Sequence, residues 1–424
     1  KKIVIKVRLF KPTSVNSLNI IMKFERKYFG DIVSHDGSLF LLDKFISDKL
    51  LHYKSKRNFD LGSYKKNYVS ALSPALSRRI LTERKIIARV SNQFSYGQVE
   101  KYIDEICWRT YWKGWLEHRP KVWYDYLSDL SSLDDKKNNS NYVDAVTGKT
   151  GLECFDDWVK DLLEFGYLHN HTRMWFASIW IFYFKLPWQL GAEFFYQNLI
   201  DADPASNTLS WRWVAGLQTM GKKYITYQEN IDRFTGSRYK FPEQFKLQDN
   251  LVDEYVFYEP SYKDRESIVS SSSKKGYIVI EEDLSFENVK KNHPVLIQSE
   301  SYNTFNQSNN VKLLSDEALK QAIGYCKNNI SSKVTTFNWQ NPSTIEKWIL
   351  ENSINEIEII APTIGKYEKL IPSTFNQLDV KIFYYYHDWD ISFWEHADKG
   401  FFKLKKKIKN IVSPYWETPL FGTS

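Results

Sequence analysis

The chain has 424 residues, with 58 Lys and Arg against 51 Asp and Glu, giving a formal net charge of +7. Aromatic residues make up 16% of it and hydrophobic residues 42%, which excludes a disordered chain and supplies core for about two to three domains. Three cysteines exclude a disulfide scaffold and a zinc site of cysteines alone, and no uncharged apolar run reaches the ~18 residues of a membrane span, so the expectation is a soluble, cytoplasmic protein with no membrane partner.

Residues 1–52 open with a β-like run at 3–10. Apolar residues at helical spacing follow, among them Phe40, Phe45 and Leu50, so this segment reads as an extension into a helical domain. From Tyr53 to about Tyr239 apolar residues return every three or four positions, predicting an all-α unit over 53–266. A Ser/Lys run at 267–276 predicts a flexible linker. Beyond it, short β-branched or aromatic runs at 277–280, 295–298, 334–337, 357–360 and 380–384 alternate with helical stretches at 315–328, 343–352 and 366–370. Ser315 stands as the N-cap of the first stretch. That alternation predicts an α/β domain over 277–424 with a parallel, doubly wound sheet.

Three constellations carry chemistry. Tyr102, Glu105, Trp108, Arg109 and Trp112 recur three or four residues apart, forming one helical stripe with a carboxylate and a guanidinium among large rings. Glu105 and Arg109 can pair at i, i+4 on a helix surface, or serve a polar ligand. In the segment 166–174, Asn170, Arg173 and Met174 share a helix face. His169 and His171 at i, i+2 diverge, so the pair is a poor metal site. Asp201, Asp203 and Asn207 precede Trp211 and Trp213; the acids lack the glycine and closing glutamate of a calcium loop, and no metal is expected.

In order and spacing these segments resemble the FAD-binding domain of the DNA photolyase and cryptochrome family. The resemblance rests on Tyr53 followed by Arg57-Asn58, Ser70-Ala71-Leu72-Ser73, Glu105-Ile106-Cys107-Trp108-Arg109, Gly148-Lys149-Thr150-Gly151, 166–174, Trp188, and Asp201 to Trp213. It covers roughly 190 residues, under half of the chain. It implies that Tyr53, Ser70, Leu72 and Ser73 hold the pyrophosphate of FAD, with hydroxyls and helix-start amides suited to an anion. Tyr102, Glu105, Arg109, Asn170, Arg173, Asp201, Asp203 and Asn207 would complete the cofactor site, with Arg173 paired to Asp201 and Asn207 facing the flavin. Glu105 would also take part in catalysis with Asn207, beside the electron-carrying Trp188 and Trp211, while Trp108, Met174 and Trp213 would line a pocket for a flipped pyrimidine dimer.

The sequence departs from the family pattern in several places. Val69 stands where the family has Thr, His171 where it has Arg, and Tyr167 where it has Trp. No Trp stands near Ala145, where a third member of the electron chain is expected; Tyr142 and Trp180 are the nearby substitutes. The family's antenna domain precedes its FAD domain, whereas here 52 residues precede Tyr53 and the α/β domain follows, as a relocated antenna-like domain. That domain has no glycine-rich phosphate loop, so the sequence supports no antenna chromophore. The resemblance implies an FAD-dependent, blue-light-driven lyase acting on pyrimidine dimers in damaged DNA, or a cryptochrome-like photoreceptor with a signalling partner. A basic cluster including Lys54, Lys56, Arg57, Lys65, Lys66, Arg78, Arg79, Arg84, Lys85 and Arg89 is the expected DNA-facing surface.

Overall fold

The computed structural model describes residues 29–62, 67–249, 255–263, 265 and 272–416. The β-like run at 3–10 and the linker up to residue 271 lie outside the described residues.

The first half is helical: α1 (Phe29–Ile32), α2 (His35–Asp48), α3 (Leu50–Lys56), α4 (Ser73–Ser77), α5 (Glu83–Ser91), α6 (Tyr96–Glu117), α7 (Lys121–Ser132), α8 (Ser140–Thr147), α9 (Glu153–Phe165), α10 (Asn170–Phe182), α11 (Trp188–Asn198), α12 (Pro204–Ala215) and α13 (Gln228–Thr235). Ser95 and Gln98 form a capping box that starts α6. Asp203 caps α12 by accepting the Ser206 N–H at 2.9 Å, Pro204 fits its first turn, and Gly216 ends it at φ 82°. α6 is buried on most of its circumference because it runs through the middle of the unit, with α3, α5 and α12 packed around it.

The second half holds β1 (Lys275–Val279), β2 (Val295–Gln298), α14 (Asn309–Asn329), β3 (Val334–Phe337), α15 (Ser343–Glu351), β4 (Glu356–Ile360), α16 (Leu370–Phe375), β5 (Lys381–Tyr385), α17 (Asp388–Trp394) and α18 (Phe401–Val412). The strands form one parallel sheet in the order β3-β2-β1-β4-β5, the doubly wound arrangement expected. One face, with Tyr277, Val279, Val295 and Ile297, packs on α14 and joins the core of the helical unit. The other face, with Ile278, Leu296, Ile357 and Ile359, buries Trp348 of α15 and Ile371 and Phe375 of α16. Two helix boundaries differ from the sequence reading. α14 begins six residues before Ser315, which is buried and accepts a 2.8 Å hydrogen bond from Arg78. The helix expected at 366–370 starts only at Leu370, because Lys366 and Tyr367 turn inward to Glu281.

After β5 the chain returns to the helical unit, and α17 and α18 pack on α6. Trp389 and Trp394 both donate their indole N–H to Thr110, to its hydroxyl at 2.9 Å and its carbonyl at 3.2 Å. The helices approach closely at Gly114, where a methyl group would overlap the Trp394 ring.

Open α/β sheets take ligands in the crevice at the carboxyl ends of the strands where the strand order reverses, here between β1 and β4. The helical unit plugs that crevice. Arg78 reaches Glu281 (3.2 Å), which also holds Lys366 (2.9 Å); Lys113 meets Glu282 (3.4 Å); and the Glu117 carboxylate accepts the Ile364 N–H at 2.6 Å. Gly365 lies against Pro204, at the first turn of α12, with no room for a side chain.

Candidate functional site

Several of the side chains singled out from the sequence meet where α3, α6, α10, the turn before α4 and the start of α12 adjoin. Residue 71 sets that turn: Ala71 has φ 56°, a left-handed conformation uncommon for a residue with a Cβ. It leaves Ser70 and Ser73 half-buried and sends Leu72 into the core. Tyr53 packs edge-on against Tyr102 at 5.1 Å, and burial pushes both phenols well above the usual range, the Ser70 hydroxyl opposing the shift at Tyr102.

Glu105 and Arg109 do not pair with each other. Glu105 meets Lys101 at 2.6 Å and Arg57 at 3.5 Å. Arg109 donates to the carbonyls of Leu76 (2.9 Å) and Ser77 (3.1 Å), which ties α6 to the end of α4, and its Nε lies 3.4 Å from Asp203. The segment 166–174 is helical only from Asn170. His169 is the N-cap of α10, its Nδ1 accepting the His171 N–H at 3.2 Å, and burial lowers its pKa to about 4. Asn170 is exposed at the first position of α10.

Arg173 meets Asp201 at 2.8 Å, and the Asp201 side chain is 2% exposed. Burial works against the Arg173 charge, but Asp201 more than offsets it and the pKa rises. The guanidinium stands 5.3 Å from the Tyr167 ring, a contact that the sequence does not signal, since Tyr167 stands out there only as a departure from the family's Trp. Asn207 is buried and donates its amide to the Ala192 carbonyl at 2.7 Å.

Several polar atoms of this cluster are buried with no hydrogen-bond partner among the described residues: Asp201 Oδ1, Ser206 Oγ and His169 Nε2. Each such atom costs about 1–3 kcal/mol when left dry. They sit on or beside α10 and α12, the helices that carry Arg173 and Asn207.

The tryptophans extend from this site. Trp211, one turn after Asn207, meets Phe195 at 5.1 Å and Trp180 at 6.1 Å, both edge-on. Trp180 in turn meets Tyr142 edge-on at 5.9 Å. Trp188 stacks on Tyr126 at 5.6 Å, and Ala145 is fully buried. Trp213 stacks on Tyr224 at 5.5 Å, and Met174 is half-buried beside Arg173 on α10. Trp108 is not open: Phe401, the first residue of α18, lies flat on it at 3.6 Å.

Residues 102–257 match the family model described as the FAD binding domain of DNA photolyase. Over that stretch the chain is similar to the FAD-binding domain of the photolyases. It is 32% identical over 199 residues to a deoxyribodipyrimidine photo-lyase of Agrobacterium fabrum, covering 45% of this chain and 40% of that protein. It is 26% identical over 190 residues to one of Vibrio cholerae, covering 43% and 40%. A crystal structure of a bacterial class III photolyase from Agrobacterium tumefaciens aligns with 28% identity and a TM-score of 0.42, over 50% of this chain and 45% of that one. The chain thus spans less than half the length of these photolyases. The sheet, α17 and α18 all lie beyond the stretch matched by the photolyase family model.

The expected basic surface is largely dismantled. Arg78 and Arg79 are buried, paired with Glu281 and Asp390. Arg57, Arg84 and Arg89 face Glu105, Glu287 and Asp43. Lys65 and Lys66 lie outside the described residues. The arginines hold the helical unit to the sheet and to its own neighbours because the acids that meet them come from distant parts of the chain.

Proposed function

We propose that this chain binds FAD between α6, α10 and α12 and splits pyrimidine dimers in DNA under blue light. The observation that carries the reading is the set of partnerless buried polar atoms around the Arg173–Asp201 pair. Guanidinium N–H groups, a carboxylate oxygen and hydroxyls suit the phosphates and ribityl hydroxyls of a flavin dinucleotide, so the residues fit the group. Tyr53, Ser70, Leu72 and Ser73 would hold the pyrophosphate end, Leu72 through its backbone alone because its side chain is core. Tyr102, Glu105, Asn170 and Asp203 would border the cofactor. Arg109, anchored by two carbonyls, is preorganised to face an anion. The free Asp201 oxygen would accept a hydroxyl or N–H. Asn207 gives one amide N–H to Ala192, which fixes the amide and leaves its second N–H and its carbonyl oxygen for the flavin. When bound, FAD supplies the light-excited electron donor. Glu105, Trp108, Met174 and Trp213 would form the lesion side of the site.

Phe401 on Trp108 favours a second reading, a cryptochrome-like photoreceptor with a signalling partner, since the ring face that Phe401 takes cannot stack on a flipped base. In both readings the α/β domain, though a relocated antenna-like fold, acts as a structural dock, its crevice being filled by Arg78, Lys113 and Glu117. The two are separated by incubating FAD-loaded, chemically reduced protein with a dimer-containing oligonucleotide under blue light. Restored thymines support repair; flavin photochemistry without restored thymines supports the photoreceptor.

A further inference from the structure

Helix α18 reads FFKLKKKIKNIV, with five lysines and no acid in twelve residues. Phe401, Leu404, Ile408 and Val412 are buried against the helical unit, with α6 the helix beneath them. The opposite side exposes Phe402, Lys403, Lys406, Lys407 and Asn410. Lys405 is neutralised by Asp104 at 2.6 Å and Glu100 at 3.6 Å, and Lys399 stands 3.9 Å from Asp398. By contrast, no carboxylate of the described residues is within ion-pair distance of Lys403, Lys406 or Lys407. Like charges at i, i+3 and i, i+4 repel and destabilise a helix. Phe402 beside them is 77% exposed, an unusual state for a ring in a protein that buries most of its aromatics.

We infer that the solvent face of α18 binds the phosphate backbone of nucleic acid through Lys403, Lys406 and Lys407, with Phe402 packing on sugar or base. The lysines rise about 6 Å over four helical residues, and a row of unpaired ammonium groups at that scale tracks a strand that carries one phosphate about every 3.4 Å. An exposed ring among cations is the pattern of a stacking contact on a charged groove. A membrane surface is the poorer partner, because an interfacial helix inserts its apolar face, and here that face is already buried in the protein. The position gives the surface a use. Phe401 on the buried side caps Trp108, so α18 lies beside the proposed lesion side and its outer lysines would supply the backbone contact that the buried Arg78 and Arg79 do not. The placement beside a lesion site rests on the proposed function, whereas backbone binding by α18 does not.

The test uses the full chain in the dark with a fluorescent duplex of undamaged sequence, titrated at several salt concentrations. Lys403→Gln/Lys406→Gln/Lys407→Gln should weaken binding at low salt at least tenfold and flatten the plot of log K against log salt by about two to three units, near 0.9 per lost phosphate contact. Phe402→Ala should weaken binding several-fold and leave that slope unchanged. All four side chains point to solvent, so circular dichroism and Tm should match the wild type. Equal affinity and slope for the triple variant would overturn the inference. So would a wild type that ignores the duplex, whether or not it binds anionic vesicles. Flavin content and dimer repair, measured separately, report on the proposed function whichever way this binding comes out.

Discussion

Phe401 and Trp108 lie face to face, ring centroids 3.6 Å apart and planes 13° from parallel, joining residues almost three hundred positions apart. Phe401 is 4% exposed, and Trp108 also meets Trp112 and Tyr111. The stack is therefore part of the seam between α18 and α6. Truncating a buried Phe to Ala costs about 3–5 kcal/mol, so Phe401→Ala should lower unfolding stability by about 3 kcal/mol in urea titration. The same variant frees one face of Trp108 and should raise affinity for a dimer-containing oligonucleotide over its undamaged twin. A loss under 1 kcal/mol would show that α18 does not hold this seam.

His387, after β5, should make stability pH-dependent. Burial opposes its charge, as does nearby Arg79, but Asp283 and Glu287 outweigh them and its pKa rises to about 9. The folded value exceeds the unfolded value of 6.5, so the contribution is fully present below pH 6.5 and is lost as pH rises through about 9. Asp283 is held low, so its contribution persists across that window and fades only in acid. Tm should fall between pH 6.5 and 9, and His387→Gln should be less stable at pH 6 with a flatter profile. A variant that keeps the wild-type slope would remove His387 as its source.

Gly191 of α11 is the floor under Trp211. A methyl there would overlap the Trp211 ring and approach the Trp180 indole nitrogen. Overpacking of a tight core costs about 1–3 kcal/mol. Gly191→Ala should destabilise by that amount in thermal unfolding, while Gly97→Ala, where a Cβ meets open space, should be neutral or stabilising. Equal effects at both positions would contradict the packing described.

Trp211 and Trp180 are in edge contact, and Trp180 reaches Tyr142. Indole and phenol are the readily oxidised side chains, so under the proposed function this row would carry electrons toward the site. Trp211→Phe should leave FAD bound yet slow the bleaching of its blue absorption under light, and Trp180→Phe should slow it as well. Bleaching at the wild-type rate in both would assign the route to Trp188 alone.

Much of the fold was legible. Strands buried on both faces read as apolar, β-branched runs, and β2 and β3 match their expected bounds while β1, β4 and β5 differ by one or two residues. The Arg173–Asp201 pairing followed from motif order. What local pattern could not supply was long-range partnership. Arg78 and Arg79 look like surface charge until Glu281 and Asp390, over two hundred residues away, come to meet them. Likewise α17 and α18 sit in sequence with the α/β domain, but their apolar faces fit α6. The lysine run of α18 was visible all along; its meaning depends on which side the helix buries.

A flavin between α6, α10 and α12 is the centre of the proposed function. Its most direct test is titration of the apoprotein with FAD, wild type against Asp201→Asn, with flavin fluorescence as the signal. Asn keeps the shape of Asp201 but removes the charge facing Arg173 and the free carboxylate oxygen. The wild type should take up equimolar FAD, and the folded variant should bind it at least tenfold more weakly, about 1.4 kcal/mol. A wild type that takes up no FAD, or a variant that binds it as tightly, would contradict the proposed function.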